Sequence, residues 1–234
     1  MLHRVAIVPA RGGSKRIPRK NIKSFCGKPI IAYTIETLKS SKLFDKVIVS
    51  SDDTEIISIS KQYGAEAPFI RPHSLSDDYS TTREVLKHAI SELQILGVPV
   101  THICCVYPTN PFLQISTLTN SFDYLVKGGH DYVFSACRYA HPVQRAFSVG
   151  GAGKIQFLFP EHRTSRTQDV DVMYHDAAQF YWGKLDHFLV DNSADFNSVS
   201  AFIVPQRSVV DIDDEDDWAK AEFLWNYLKD RDAV

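Results

Sequence analysis

The chain of 234 residues contains no apolar run near the roughly 20 residues that a membrane-spanning helix needs. Its first residues lack the apolar core and cleavage site of a secretory signal. Its four cysteines form no CxxC pair, and three of them lie in apolar, strand-like runs, where a reduced thiol behaves as a small hydrophobic group. These absences predict a cytoplasmic protein with no membrane partner, disulfide or zinc site.

A strong excess of charge of either sign is also missing. The 26 Lys and Arg residues are balanced by 28 Asp and Glu residues, which gives a formal net charge of −2. Because a general nucleic-acid binder needs a dominant basic face, this balance argues against nucleic acid as a partner. No internal repeat or low-complexity linker divides the chain, and its 44% hydrophobic content can form a sizeable core. We therefore expect a single domain over residues 1–234.

Positive charge is nevertheless concentrated near the start of the chain. The apolar run 5–8 ends at Pro9 and leads into the segment 10–21, ARGGSKRIPRKN, which has five basic side chains within ten positions. Its glycines let the backbone approach an anion, so the loop predicts a polyphosphate site. It fits neither the dinucleotide fingerprint nor the Walker loop, whose second glycine is replaced by Pro18. The alternative is a solvated basic turn after an edge strand.

The alternation of apolar segments predicts a doubly wound, mostly parallel α/β sheet of Rossmann-like type. Ligands of such sheets bind at the carboxyl ends of strands, where the basic loop lies. The segment 138–183 breaks the alternation, and we expect it to leave the sheet as an excursion that carries substrate contacts, a dimer surface or both. Strands are predicted at 5–8, 47–49, 103–107, 132–137 and 199–204, and helices at 29–39, 55–63, 81–96, 116–127 and 215–229.

Two aspartates near the end of the chain form a second candidate site. In the extended segment 209–213, Asp211 and Asp213 share a face while Ile212 points toward the core. Mg²⁺ typically binds one or two carboxylates together with substrate phosphates, so this pair predicts a magnesium site. Acids at 214–217 complement the dipole of the next helix, and capping is also the alternative role for the pair. Combined with the basic loop, the pair predicts nucleotidyl transfer.

Taken in order, these motifs resemble those of the acylneuraminate cytidylyltransferases, also called CMP-sialic acid synthetases. The similar segments extend over almost the whole chain and are 7–21, 49–53, 71–72, 108–111 and 211–213. The resemblance implies a homodimeric nucleotidyltransferase in which the anomeric hydroxyl of a nonulosonic acid attacks the α-phosphate of CTP and releases pyrophosphate.

The same resemblance implies roles for individual residues. The residues expected to bind CTP are Arg11, Gly12, Gly13, Ser14, Lys15, Lys20, Asn21 and Arg71. Those expected to act in catalysis are Arg11, Lys15 and Asp211. Asp211 and Asp213 are expected to bind Mg²⁺, and one of them to help deprotonate the attacking hydroxyl.

Departures from the family pattern bear on the choice of sugar. Family members that use N-acetylneuraminate usually have Gln before Pro-Thr-Ser-Pro and a later Arg-Pro-Asn-Gly, whereas this chain has Tyr107 and the segment 174–183 at these places. The segments 160–169 and 174–183 are similar instead to the branch that uses pseudaminic acid, a 5,7-diamino-trideoxy sugar. The sugar contacts expected on this basis are Tyr107, Thr109, Gln144, Arg166, His175 and Gln179, with Arg145 and His162 as further candidates.

Three alternatives stay open at this point. The same reaction could use N-acetylneuraminic or legionaminic acid. A non-catalytic nucleotide-sugar sensor would keep the phosphate loop, but it has no need of the pair Asp211 and Asp213. A dinucleotide-dependent oxidoreductase could use a similar sheet, although the spaced glycines that bind its cofactor are missing.

Overall fold

The computed structural model describes residues 2–190 and 198–229. Strands and helices alternate through most of this part of the chain. The strands are β1 (Arg4–Pro9), β2 (Ser24–Phe25), β3 (Lys28–Pro29), β4 (Lys46–Ser50), β5 (His102–Val106), β6 (Tyr132–Arg138), β7 (Phe147–Val149), β8 (Ile155–Phe157), β9 (Tyr174–Lys184) and β10 (Val199–Ile203). The helices are α1 (Ile30–Ser40), α2 (Thr54–Gln62), α3 (Thr82–Ile95), α4 (Ile115–Lys127), α5 (Leu185–Leu189) and α6 (Glu215–Lys229).

The central sheet has six strands in the order β10-β6-β9-β5-β1-β4. β1 is parallel to both β4 and β5, and β10 is parallel to β6. β9 lies between β5 and β6 and is antiparallel to both. The predicted α/β fold with a mostly parallel sheet is confirmed.

The predicted excursion over 138–183 is too long at its C-terminal end. Residues 174–184 return to the sheet as β9, in which the side chains of Phe180 and Trp182 are fully buried. The full length of this strand was not predicted from the sequence. Its first three residues are polar or aromatic and at least partly exposed, so only the residues after them have the buried pattern of a core strand. Residues 139–173 do leave the sheet, and they carry the small hairpin of β7 and β8.

Side chains of β1 alternate between the two faces of the sheet. Ala6 and Val8 pack into one core together with α1, whereas Val5 and Ile7 pack into the other together with α3. All four are fully buried, as expected for a strand covered by helices on both faces. Cys104 and Cys105 of β5 and Cys137 of β6 are buried free thiols, in agreement with their apolar sequence context.

A third core joins the two ends of the chain. Trp218 and Ala221 of α6 pack with Phe25, and the same cluster contains Ile17 of the basic loop and Ile212 of the aspartate segment. Ile17 and Ile212 are each 1% exposed, and burying such a side chain contributes about 1.5–3 kcal/mol. Apolar contacts therefore hold the loop and the aspartate segment together, although almost 200 residues separate them in the sequence.

Two helices begin with side-chain caps. Asp53 caps α2 by accepting hydrogen bonds from the backbone N–H groups of Glu55 at 2.9 Å and Ile56 at 3.0 Å. Thr81 and Glu84 form a capping box at the start of α3. Among the described residues, no helix is both long and apolar enough to cross a membrane.

Candidate active site

A cleft of about 310 Å³ opens at the carboxyl ends of β1 and β5. Its lining combines the basic loop, the segment after β5 and the aspartate pair, which come from three distant parts of the sequence. The lining residues are Pro9, Arg11, Ser14, Lys15, Arg16, Ile17, Lys20, Asn21, Tyr107, Pro108, Thr109, Asp211 and Asp213. The structure therefore brings together most of the residues expected to bind the phosphates and the metal.

Backbone carbonyl groups fix the basic loop around the cleft. The side-chain amide of Asn21 donates to the carbonyl oxygen of Arg11 at 2.9 Å, which closes the loop on itself. The ammonium group of Lys20 donates to the carbonyl oxygen of Ile212 at 2.6 Å and so links the loop to the aspartate segment. Arg19, directly before Lys20, adopts a left-handed backbone conformation with φ of 56°.

Two cations of the loop pair with an acid that the sequence did not predict. The Arg11 guanidinium lies 2.9 Å from a carboxylate oxygen of Asp78, and the Lys15 ammonium pairs with the same carboxylate. Arg11 also donates to the carbonyl oxygen of Asp77. The hydrogen bond from Lys15, followed by that from Arg11, lowers the pKa of Asp78. No pattern in the sequence marks this contact, because Asp78 lies in an irregular segment before α3.

The two aspartates differ in their surroundings. Asp213 pairs with Arg16 at 2.8 Å and lies 3.6 Å from the ammonium group of Lys20. Asp211 faces the cleft without a hydrogen bond or ion pair to any other described residue. The pKa of Asp211 is raised. The main cause is that surrounding protein atoms remove part of the hydration of its carboxylate, and the second is the nearby negative charge of Asp213.

This donor set fits Mg²⁺. Two carboxylates face one cleft, and Asp211 keeps its oxygens free beside the cations that would bind phosphates. A hard cation that takes one or two carboxylates plus phosphate oxygens suits such a site. Capping of α6 is done by other groups, since Asp214 accepts a hydrogen bond from the Asp217 N–H at 2.9 Å.

Gly12 turns away from the cleft and toward the residues behind the loop. Its N–H donates to Asp52 at 3.0 Å, and a Cβ at this position would lie 2.7 Å from an oxygen of Asp53. At Gly13 an added Cβ would meet nothing within 4 Å. In this structure, Gly12 therefore allows close packing and its N–H is engaged within the protein. Anion binding by the N–H groups of Gly12 and Gly13 stays a prediction.

Arg71 is buried behind the loop and does not line the cleft. Its side chain is 3% exposed and lies 3.7 Å from Asp52, the carboxylate that also holds Gly12. Two of its nitrogens, Nε and Nη2, have no hydrogen-bond partner among the described residues. Burial lowers the pKa of this guanidinium, with the Asp52 charge opposing the shift. Its predicted contact with the nucleotide stays a prediction.

Of the expected sugar contacts, Tyr107 and Thr109 line the cleft and four others do not. Gln179 is 3% exposed and its amide donates to the carbonyl oxygen of Ser208, so it braces the segment that leads to the aspartate pair. Gln144 is buried and donates to the carbonyl oxygen of Asp171 at 2.9 Å.

Arg166 and His175 also lie outside the cleft of this chain. Arg166 pairs with Asp169 at 2.6 Å on the exposed excursion. His175 lies at the start of β9, and the centroid of its ring is 4.8 Å from that of Tyr139. The same excursion holds His162, whose ring nitrogen contacts the Ser165 hydroxyl at 3.2 Å.

A second cavity, of about 360 Å³, adjoins the cleft through Tyr107, which lines both. It is formed by α3, the end of β5, β6, β9 and α5. Sequence reasoning missed it, because its walls come from elements that are neighbours only in the folded sheet.

Known proteins are similar to this chain in sequence and in fold. The model of a family described as cytidylyltransferase matches residues 5–190. Pseudaminic acid cytidylyltransferase from Campylobacter jejuni is 40% identical over 221 residues, which cover 94% of this chain and 95% of that protein. N-acylneuraminate cytidylyltransferase from Escherichia coli is 28% identical over 218 residues, covering 93% of this chain and 51% of that protein.

A solved structure of CMP:2-keto-3-deoxy-manno-octonic acid synthetase complexed with CTP has a TM-score of 0.71, with 14% sequence identity. The match covers 96% of this chain and 99% of that one, and it supports the fold alone. Together with the family match over most of the sequence, these findings establish that the chain belongs to the cytidylyltransferase family of nucleotidyltransferases.

Proposed function

We propose that this protein transfers CMP from CTP to the anomeric hydroxyl of pseudaminic acid, giving CMP-pseudaminic acid and pyrophosphate. The observation that carries the proposal is the composition of one cleft, which is lined by Arg11, Lys15 and Lys20 together with Asp211 and Asp213. Cations suit a triphosphate, and paired carboxylates suit the metal that accompanies it. The 40% identity to a pseudaminic acid cytidylyltransferase supports this choice of sugar.

The basic residues of the cleft would bind and orient the triphosphate. The sugar hydroxyl forms a bond to the α-phosphorus while the bond to the bridging oxygen breaks, and pyrophosphate leaves. Arg11 and Lys15, once released from Asp78, would stabilise the negative charge that develops on the departing oxygens. Holding both reactants in line accounts for much of the acceleration in such transfers.

The aspartate pair would hold Mg²⁺ against the phosphates. When bound, the ion would supply Lewis-acid stabilisation of charge on the phosphate oxygens. Asp213, between Arg16 and Lys20, has a fixed orientation, whereas Asp211 is unpaired among the described residues. One of the two carboxylates would accept the proton of the attacking hydroxyl, and free Asp211 is better placed to do so.

A homodimer forms part of the proposal. The excursion exposes several large apolar side chains, namely Phe147 (52% exposed), Val149 (65%), Ile155 (56%) and Leu158 (65%). A patch of this kind on an extended hairpin suits a protein partner. Gln144, Arg166 and His175 lie on or next to this excursion, outside the cleft of their own chain. For Arg166 and His175, contact with a sugar in a second copy's cleft would reconcile this position with the expected role, whereas Gln144 is buried and bonded to Asp171 within its own chain. Light scattering combined with gel filtration tests the dimer.

Pyrophosphate release tests the reaction and the sugar in one experiment. The protein is given CTP and Mg²⁺ with pseudaminic acid, N-acetylneuraminic acid, legionaminic acid or no sugar. We expect release with pseudaminic acid far above that with the other sugars. Release with another sugar alone would overturn the choice of substrate, and bound CTP with no release on any sugar would favour the non-catalytic sensor.

A further inference from the structure

The second cavity offers space for part of a substrate bound in the candidate active site. Tyr107, directly after β5, lines both cavities, so a sugar held beside it can extend a substituent from one into the other. The other lining residues are Thr81, Thr82, Arg83, Leu86, Tyr132, Asp176, Tyr181, His187 and Phe188. None of these nine was among the residues expected to contact the sugar.

Aromatic rings form much of the cavity wall. The ring centroids of Tyr107 and Tyr181 lie 5.4 Å apart, and those of Tyr132 and Tyr181 lie 6.5 Å apart in a stacked arrangement. Phe188, 5.8 Å from Tyr132, and the buried Leu86 complete the apolar surface. Such a surface favours methyl groups and the C–H faces of a sugar over hydroxyl groups.

Asp176, which is exposed to solvent, adds a carboxylate to this mostly aromatic lining. Its Oδ1 accepts a hydrogen bond from the Ala178 N–H at 2.8 Å, and its Oδ2 accepts one from the Tyr181 hydroxyl at 2.7 Å. These bonds fix the carboxylate, and each oxygen still has capacity to accept another hydrogen bond. An ionised carboxylate only accepts, so it selects a ligand group that carries an N–H or O–H.

Three other polar side chains around the cavity, those of Arg83, Thr82 and Tyr107, are engaged within the protein. The Arg83 guanidinium donates to the carbonyl oxygens of His187, at 3.1 Å, and Val190. The hydroxyls of Thr82 and Tyr107 lie 3.2 Å apart and bond to each other. Asp176 supplies the one carboxylate among the described lining residues, whereas the Tyr132 hydroxyl and the His187 ring make no side-chain hydrogen bond within the described part of the chain.

We propose that the second cavity binds an acylamino substituent of the nonulosonic acid, with Asp176 accepting its N–H and the rings of Tyr107, Tyr132 and Tyr181 enclosing its acyl methyl. This inference rests on the proposed function and adds the residues that discriminate among sugars. An acylamino group has an amide N–H close to a methyl group. It therefore matches a lining in which one carboxylate, that of Asp176, lies beside aromatic rings. A polyhydroxylated tail fits less well, because burying its hydroxyls against rings would leave several without partners.

The test measures KM for pseudaminic acid and KM for CTP in wild type, Asp176→Asn and Tyr181→Phe. We expect Asp176→Asn to raise KM for the sugar about tenfold, as for the loss of a hydrogen bond to a charged group, and to leave KM for CTP within about twofold. Tyr181→Phe, which removes only the hydroxyl that orients the carboxylate, should shift KM for the sugar in the same direction by a smaller factor. Asp123→Asn, on the exposed surface of α4, is the matched control.

The possible outcomes separate this inference from the proposed function. If wild type releases no pyrophosphate with pseudaminic acid, the proposed function fails and the inference that rests on it falls with it. If wild type is active but both variants keep the wild-type KM for the sugar, the inference alone is overturned. It is also overturned if both variants raise the two KM values together and lower the melting temperature, because that result indicates a structural role.

Discussion

The Arg11 guanidinium lies 2.9 Å from a carboxylate oxygen of Asp78, in the cleft where a triphosphate would bind. Lys15 pairs with the same carboxylate, although its side chain remains 79% exposed. Two cations of the basic loop thus share one acid from the segment before α3. A triphosphate that binds these two cations would compete with Asp78 for them.

Asp78→Asn should therefore strengthen the binding of CTP. Exposed ion pairs are weak, so we expect Kd to fall by no more than about two- to fivefold. Titration calorimetry of wild type and variant at low salt measures the change, which should shrink at high ionic strength because exposed charges are screened. Asp123→Asn removes an equal charge elsewhere as the control. An unchanged or weaker affinity for CTP would contradict this competition.

Asp211→Ala should abolish turnover and leave the fold intact. Loss of a carboxylate that acts on the charge of the transition state should cost about 4 kcal/mol, or roughly a thousandfold in kcat/KM. The melting temperature should not fall, because Asp211 has no hydrogen bond or ion pair among the described residues and repels Asp213.

Pyrophosphate release across a magnesium titration, together with a thermal melt, checks both parts of that prediction. Asp216→Ala is the matched control, since Asp216 is an exposed acid in the first turn of α6. A folded Asp211→Ala protein with near wild-type activity would show that the metal assignment is wrong.

Gly12→Ala should destabilise the protein, whereas Gly13→Ala should not. An added Cβ at Gly12 would lie 2.7 Å from Asp53 Oδ2 and 3.0 Å from Asp53 Cβ. Asp53 cannot easily move, because it caps α2 and pairs with Arg19. Forced overpacking of this kind costs about 1–3 kcal/mol.

Urea unfolding of the two glycine variants measures this difference. Gly13→Ala serves as the matched control, because a Cβ there meets nothing within 4 Å. Equal free energies of unfolding for the two variants would refute the close approach of Gly12 to Asp53.

Asp53 should make the stability of the protein depend on acidic pH. The hydrogen bond from Arg19, supported by the backbone N–H groups of α2, lowers the pKa of Asp53 in the folded protein. A lowered carboxylate pKa adds stability above the unfolded value of about 3.9, and this contribution is lost as pH falls through the folded pKa. Asp53→Ala should therefore lower the free energy of unfolding at pH 7 by about 0.5–2 kcal/mol, as for a lost N-cap.

Unfolding curves at pH 7 and at about pH 3 test this dependence, since the gap between wild type and Asp53→Ala should narrow at the lower pH. Asp123→Asn provides the comparison, because its carboxylate makes an exposed ion pair with Lys127 on α4. A gap that stays constant from pH 7 to about pH 3 would count against a contribution from the charge of Asp53.

Local and periodic signals in the sequence determined the fold class, most helix and strand positions, and the parts of the cleft that carry charge. The caps at Asp53 and Thr81 were predictable because an N-cap side chain bonds to backbone groups two or three residues away. The basic loop and the pair Asp211 and Asp213 were predictable because their residue types and spacing carry the chemistry by themselves.

Only the tertiary structure decided which distant groups meet. β9 joins the sheet by pairing with β5 and β6, and such long-range pairing leaves little trace in its own half-polar sequence. The same holds for Asp78 beside Arg11, and for the cavity that Asp176 shares with Tyr107. A sequence shows which side chains can bind an anion, a metal or a sugar. The packing of strands and helices decides which of them face the same cavity, because that depends on contacts between residues far apart in the chain.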